Sequence, residues 1–85
     1  MERKPLRIRP LNAPRPVRVV EAPDGAPTSI NGRRVERIAD RWRIDDEWWR
    51  EEPVSRMYYE VELVGGIRWT GYKDLISGKW YEQRV

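Results

Sequence analysis

From Arg56 to Val64 the chain alternates without a break: Tyr59, Val61 and Leu63 fall on one side, Tyr58, Glu60 and Glu62 on the other. A period of two belongs to a strand with one face in a core and one face in water. Gly65-Gly66 ends the run as a turn, and residues 67–73 bring the chain back. Residues 74–78 form another turn, and residues 79–85 read as a last strand.

The earlier half carries the same punctuation. Residues 17–21 are rich in β-branched side chains, and residues 23–27 hold two prolines and a glycine at a turn. Thr28-Ser29-Ile30 leads into Asn31-Gly32, the dipeptide of a type I′ hairpin. The stretch after it fits two periods. Val35, Ile38, Ala39 and Trp42 fall at helical spacing; Ile38, Asp40, Trp42 and Ile44 fall at strand spacing. The hairpin just upstream favours the strand, with a bulge near Glu36-Arg37 shifting the register. Asp45-Asp46 reads as the end of that element, and Glu51-Glu52-Pro53 as a loop. Short strands bounded by turns predict an all-β domain, a small antiparallel meander or partly open barrel of five to six strands. Closing the sheet would also protect its edges.

Eighty-five residues allow one small domain with a limited core. The chain has no phenylalanine but five tryptophans and four tyrosines, so most of these rings are expected in that core. Cysteine and histidine are absent. That excludes disulfides, thiolate nucleophiles, imidazole bases and the usual structural zinc ligands. A small chain without disulfides suits a reducing cytoplasm. No apolar run is long enough to span a membrane, and residues 1–10 have no apolar stretch of the kind a signal peptide needs.

The net charge of +3 is unevenly spread. Arg3, Lys4, Arg7, Arg9, Arg15 and Arg18 face only Glu2 within residues 1–20, whereas residues 21–85 carry 11 basic and 13 acidic residues. Residues 1–16 also hold Pro5, Pro10, Pro14 and Pro16, which read as an extended basic arm in front of a β domain over residues 17–85. Leu6 and Ile8 alternate with Arg7 and Arg9, so a short edge strand fits within the arm.

Chemistry beyond contact has little to draw on. Ser29, Ser55 and Ser77 are expected in turns or loops, and no glycine loop has the form that cradles a phosphate. Asp45, Asp46, Glu47, Glu51 and Glu52 lack the spacing of a calcium loop and read as a solvated acidic segment. No catalytic residue, metal site or cofactor is expected. Two binding chemistries remain. The arm's cations, with Arg33, Arg34, Arg37 and Arg41, suit phosphate contact, and surface Tyr58, Tyr72 and Tyr81 suit stacking on single-stranded bases. Alternatively, residues 45–52 carry five acids and one arginine beside Trp48 and Trp49, a surface fit for a basic protein partner with Trp48 as the exposed anchor and Trp49 inside.

The order Asn-Gly-Arg-Arg-Val-Glu-Arg-Ile, Asp40-Arg41-Trp42-Arg43, Trp48-Trp49, Tyr58-Tyr59-Glu60-Val61, Gly-Gly, Tyr72-Lys73-Asp74-Leu75 and Gly78-Lys79-Trp80-Tyr81 covers about two-thirds of the chain. It resembles a bacterial family of small stand-alone domains without an assigned role. It also resembles the extreme C-terminal segment of the inactive, Y-family-polymerase-like adaptor of the bacterial mutasome. Gly71 and Glu82 depart from that pattern, standing where leucine-like residues are expected. The resemblance carries no catalytic residue. It implies a setting in DNA repair or translesion mutagenesis, and a protein partner such as a DNA polymerase or repair component. The expectation is therefore a non-enzymatic protein-interaction module. The alternatives are a nucleic-acid-binding small barrel and a homodimer in which the arm adds a strand to a neighbour's sheet.

Overall fold

The computed structural model describes residues 14–46 and 54–83, and every regular element among them is a strand. Seven antiparallel strands form one sheet: β1 (Arg15–Pro16), β2 (Val19–Glu21), β3 (Pro27–Ile30), β4 (Arg33–Asp46), β5 (Val54–Leu63), β6 (Ile67–Asp74) and β7 (Trp80–Glu82). Their order in space is β1-β7-β6-β5-β4-β3-β2. The class is all-β, an open barrel-like meander with one or two more strands than expected.

Local chemistry places the elements. Asn31 and Gly32 both take positive φ, 50° and 86°, which a type I′ turn requires at its two central residues. They join Ile30 to Arg33 as a directly paired hairpin. The strand alternative for residues 33–44 is the one observed, and its register slips between Val35 and Arg37 and again between Ile38 and Asp40. Asp45 and Asp46 continue β4, opposite Ser55 and Val54, instead of ending it. Ser29 and Ser55 lie in β3 and β5, not in turns. The alternation in β5 stands as read: Tyr59, Val61 and Leu63 are buried, and their neighbours are half-buried.

The sheet curls because of seven residues. β1 and β2 sit at opposite ends of the strand order, yet only Val17 and Arg18 separate them. The Val17 N–H donates to the Trp80 carbonyl at 3.1 Å, on the β7 side. The Arg18 carbonyl accepts from the Asn31 N–H at 2.7 Å, and the Arg18 N–H donates to Asn31 Oδ1 at 3.0 Å, on the β3 side. Residues 15–21 thus carry one strand from one sheet end to the other. The curl encloses a core of Ile30, Tyr59, Val61, Leu63, Trp69 and Trp80, with Val17, Val19, Val35 and Met57 packed around it.

Glu21, on β2, ties that closing strand to the far wall. Its carboxylate accepts the Trp80 indole N–H at 2.7 Å and pairs with Lys73 Nζ at 3.0 Å. The indole hydrogen bond, then the ammonium, hold the Glu21 carboxyl below its ordinary value against a smaller opposing effect of burial. A carboxyl with a lowered folded pKa contributes stability that is complete above its unfolded value, about 4.3, and is lost as pH falls through the folded value. Glu21→Gln is therefore expected to melt below the wild type at pH 7 by about 1 kcal/mol, the size of one partly exposed charged hydrogen bond. The gap should narrow as melting is repeated at successively lower pH through the acid range. A gap that does not change with pH would remove the carboxylate from this account.

Candidate functional site

The outer face of the curled sheet carries a row of four rings set by strand register. Trp42 on β4 lies opposite Tyr58 on β5, Tyr58 opposite Tyr72 on β6, and Tyr72 opposite Tyr81 on β7. Successive ring centroids stand 5.4, 5.0 and 5.4 Å apart, and the Trp42 and Tyr58 planes are within 7° of parallel. Direct cross-strand neighbours are the closest side-chain pairs a sheet offers, so the register alone brings the rings together. Arg56, two residues from Tyr58 on the same face, lays its guanidinium 4.4 Å from the Tyr72 centroid and donates to the Tyr58 hydroxyl at 3.0 Å.

This arrangement corrects one expectation and extends another. Tyr58, Tyr72 and Tyr81 do share the outer face, but Tyr72 is only 3% exposed, because its two neighbours and Arg56 close over it. Burial also pushes its phenol up. Tyr58 and Tyr81 are half-buried. The rings lean on one another, so they do not form an open stacking platform for bases. Trp42 was not among the expected site residues; it ends the row and is 39% exposed. The signal for it lay in the strand spacing of Asp40, Trp42 and Ile44.

Trp42 also sits on an open edge. β3 pairs with β4 only at Arg33 and Arg34, so residues 36–46 have no strand partner on that side among the described residues. Where the two strands part, a groove opens between Pro27–Thr28 and Val35–Ile38, flanked by Asp24, Arg34 and Glu36. Ile38 and Ile44, each 38% exposed, lie on the same strand as Trp42.

The direction of the free backbone groups follows from neighbouring ladders. The Gln83 N–H donates to the Thr70 carbonyl, and the Leu75 N–H to the Ser55 carbonyl. Antiparallel strands alternate the side to which their amides point. Ser55, Met57 and Tyr59 therefore turn their amides to β6, and Val54, Arg56 and Tyr58 turn theirs to β4. Their β4 partners Trp42, Ile44 and Asp46 are tied inward, which leaves the amides of Arg41, Arg43 and Asp45 aimed off the sheet. The Arg41 N–H is capped by Asp40 Oδ1 at 2.8 Å. Arg43 and Asp45 keep both groups outward. Their side chains form a closed set: Arg43 Nε and Nη2 donate to Asp45 at 2.7 and 3.4 Å, and the Ser55 hydroxyl donates to Asp45 at 2.7 Å. The Ser55 hydrogen bond, then Arg43, holds the Asp45 carboxyl below its ordinary value.

The expected cations are spread over several elements. Arg15 stands on β1 opposite Glu82, Arg18 lies in the link to β2, and Arg33 begins β4 with Nη1 3.4 Å from the Val64 carbonyl. Arg34 flanks the groove. All four are exposed. Arg3, Lys4, Arg7 and Arg9, the edge strand expected around Leu6 and Ile8, and Trp48 and Trp49 with the acidic residues 47–52 lie outside the described residues. In comparisons with known proteins, no family model, no curated protein and no solved structure matches this chain.

Proposed function

We propose that the chain is a non-catalytic protein-interaction module that receives an extended segment of its partner along β4. The observation that carries this reading is that one side of residues 36–46 has no strand partner among the described residues, with exposed Ile38, Trp42 and Ile44 along it. A free strand edge offers backbone hydrogen bonds to any extended chain, and the side chains beside it choose among such chains. An exposed tryptophan at that edge is the usual kind of anchor at a protein interface. The resemblance of residues 30–85 to the mutasome adaptor's last segment supports a bacterial repair or translesion setting, with a polymerase or repair component as partner. The lack of cysteine supports a reducing compartment such as the cytoplasm.

Nucleic-acid binding has weaker support, because the outer rings use their faces on one another and Tyr72 is covered. The two readings separate in one experiment. Partner capture from a bacterial extract, with candidate polymerase subunits tested singly, is compared between wild type and Trp42→Ala. Loss of a buried anchor costs about 2 kcal/mol or more, roughly a thirtyfold weaker complex. Stability should fall by only about 1 kcal/mol, the value of the Trp42–Tyr58 contact. An unchanged partner together with DNA affinity that drops steeply with salt would replace this reading with the nucleic-acid one.

A further inference from the structure

The geometry points to a defined occupant for this edge: an extended segment that pairs with the backbone of Arg43 and Asp45 and alternates apolar with acidic side chains. This rests on the reading of β4 as the partner-binding strand and adds its register and the chemistry of what binds.

The register is set by what blocks the rest of the edge. Both register slips lie between Val35 and Asp40, and bulges disrupt a ladder. Asp40 Oδ1 already occupies the Arg41 N–H. Beyond these, β4 pairs with β5 in unbroken register from Asp40 to Asp46, and the first unblocked outward N–H belongs to Arg43. An incoming strand therefore takes the N–H and C=O of Arg43 and of Asp45, with the Arg41 carbonyl available at one end. The contact is short, which suits a linear segment better than a whole domain edge.

The side-chain chemistry follows from the two faces. Residues of the incoming strand on the outer side lie beside Trp42 and Ile44, both exposed and both apolar. Apolar side chains there continue the row that begins at Tyr81. Residues on the inner side lie beside Arg41, Arg43 and Asp45. Arg43 and Asp45 neutralise each other. Arg41 is exposed and has no ion pair among the described residues. The uncompensated charge on that side of the edge is thus a guanidinium, and a carboxylate is its complement.

The test uses the full chain and two short synthetic peptides, one alternating valine with glutamate and one alternating valine with lysine. Binding is followed at low salt by amide hydrogen exchange of β4. The glutamate peptide should slow exchange at Arg43 and Asp45 and bind about tenfold more tightly than the lysine peptide, the effect of about 1.4 kcal/mol. Arg41→Glu should invert that preference. Arg43→Pro is the structural control. Its lost N–H points away from β5, so proline is tolerated in the fold, as on edge strands generally. The variant should keep its melting temperature and lose the peptide, while Arg43→Lys, which keeps both the N–H and the charge beside Asp45, keeps both. Equal affinity for the two peptides, or protection at β4 amides other than these two, overturns the inference and leaves the interaction reading standing. Failure of both peptides to protect any β4 amide, with Trp42→Ala still holding the natural partner, overturns both. Slow exchange at Arg43 and Asp45 in the peptide-free protein also overturns it. That result would assign the edge to a second copy if it depends on concentration, and to another segment of this chain if it does not.

Discussion

Trp80→Ala is expected to remove about 3–5 kcal/mol of stability, the range for emptying a large aromatic site in a packed core. For a domain of this size that is roughly 15–30 °C in melting temperature, and a large share of the 5–15 kcal/mol that typical domains possess. Two losses coincide at this residue. The ring is 5% exposed and packs on Tyr59 at 5.4 Å. Its indole N–H is a partner of Glu21, and without it that carboxylate keeps only Lys73. Its backbone carbonyl, which alanine keeps, receives the Val17 N–H at the point where the closing strand passes from β7 to β3, so loosening of β7 around the emptied site reaches that strand. β7 is three residues long and is the only strand neighbour of β1 among the described residues, so a weakened β7 releases the end of the curl as well. Trp80→Phe separates these effects. It keeps most of the ring and loses the hydrogen bond, and should cost about 1–2 kcal/mol. Urea unfolding of both variants checks the account. A Trp80→Ala variant within about 1 kcal/mol of wild type would mean that the closing strand is held by something other than this residue.

The parts of the fold that were legible in the sequence are those fixed by near neighbours. Asn31-Gly32 specifies its turn because two consecutive left-handed residues suit few other dipeptides. The alternation from Tyr58 to Leu63 specifies its faces because a strand has a period of two. The slip near Glu36-Arg37 was legible as well, because helical and strand spacing cross there and only an extra residue reconciles them. What was not legible depends on register between distant strands. Tyr58, Tyr72 and Tyr81 each read as outward, and each is outward. That they meet, and that Tyr72 is covered as a result, depends on three ladders aligning across the sheet. Trp42 joins them only because two slips in β4 bring it opposite Tyr58. Asp45-Asp46 looked like a stop because acidic pairs rarely extend a strand. The Arg43 and Ser55 partners that hold Asp45 lie across or along the ladder, invisible to local reading. The open edge was hidden for the same reason: a strand's length does not tell how far its neighbour follows it.

Gly71→Ala is expected to cost about 3 kcal/mol, at the upper end for overpacking a tight site, although it adds a single methyl group. Gly71 is buried in the middle of β6, at ordinary strand φ, so conformational freedom is not the reason for glycine there. Space is. A Cβ at this position would collide with the Trp69 ring, which folds back across Gly71 on the inner face, and with the Tyr81 carbonyl oxygen of β7. The ring end is the far part of a side chain, but Trp69 is buried and its indole N–H reaches Glu82 at 3.4 Å, so it has little room to yield. The carbonyl belongs to the β6–β7 ladder and yields even less. The same contacts explain why glycine stands at position 71 and glutamate at position 82. Trp69 covers the volume that a leucine-like side chain at position 71 would fill, and Glu82 takes the polar edge of that indole. Gly78→Ala is the comparison, since Gly78 has positive φ but open space around it. It should cost about 1 kcal/mol, the conformational effect alone. A double-mutant cycle with Trp69→Ala then reads the collision directly. The cost of Gly71→Ala should shrink when the ring is removed, leaving the part due to the Tyr81 carbonyl, so the two substitutions are non-additive. Strict additivity would mean that the ring does not press on Gly71, and that the close approach of β7 alone excludes a side chain there.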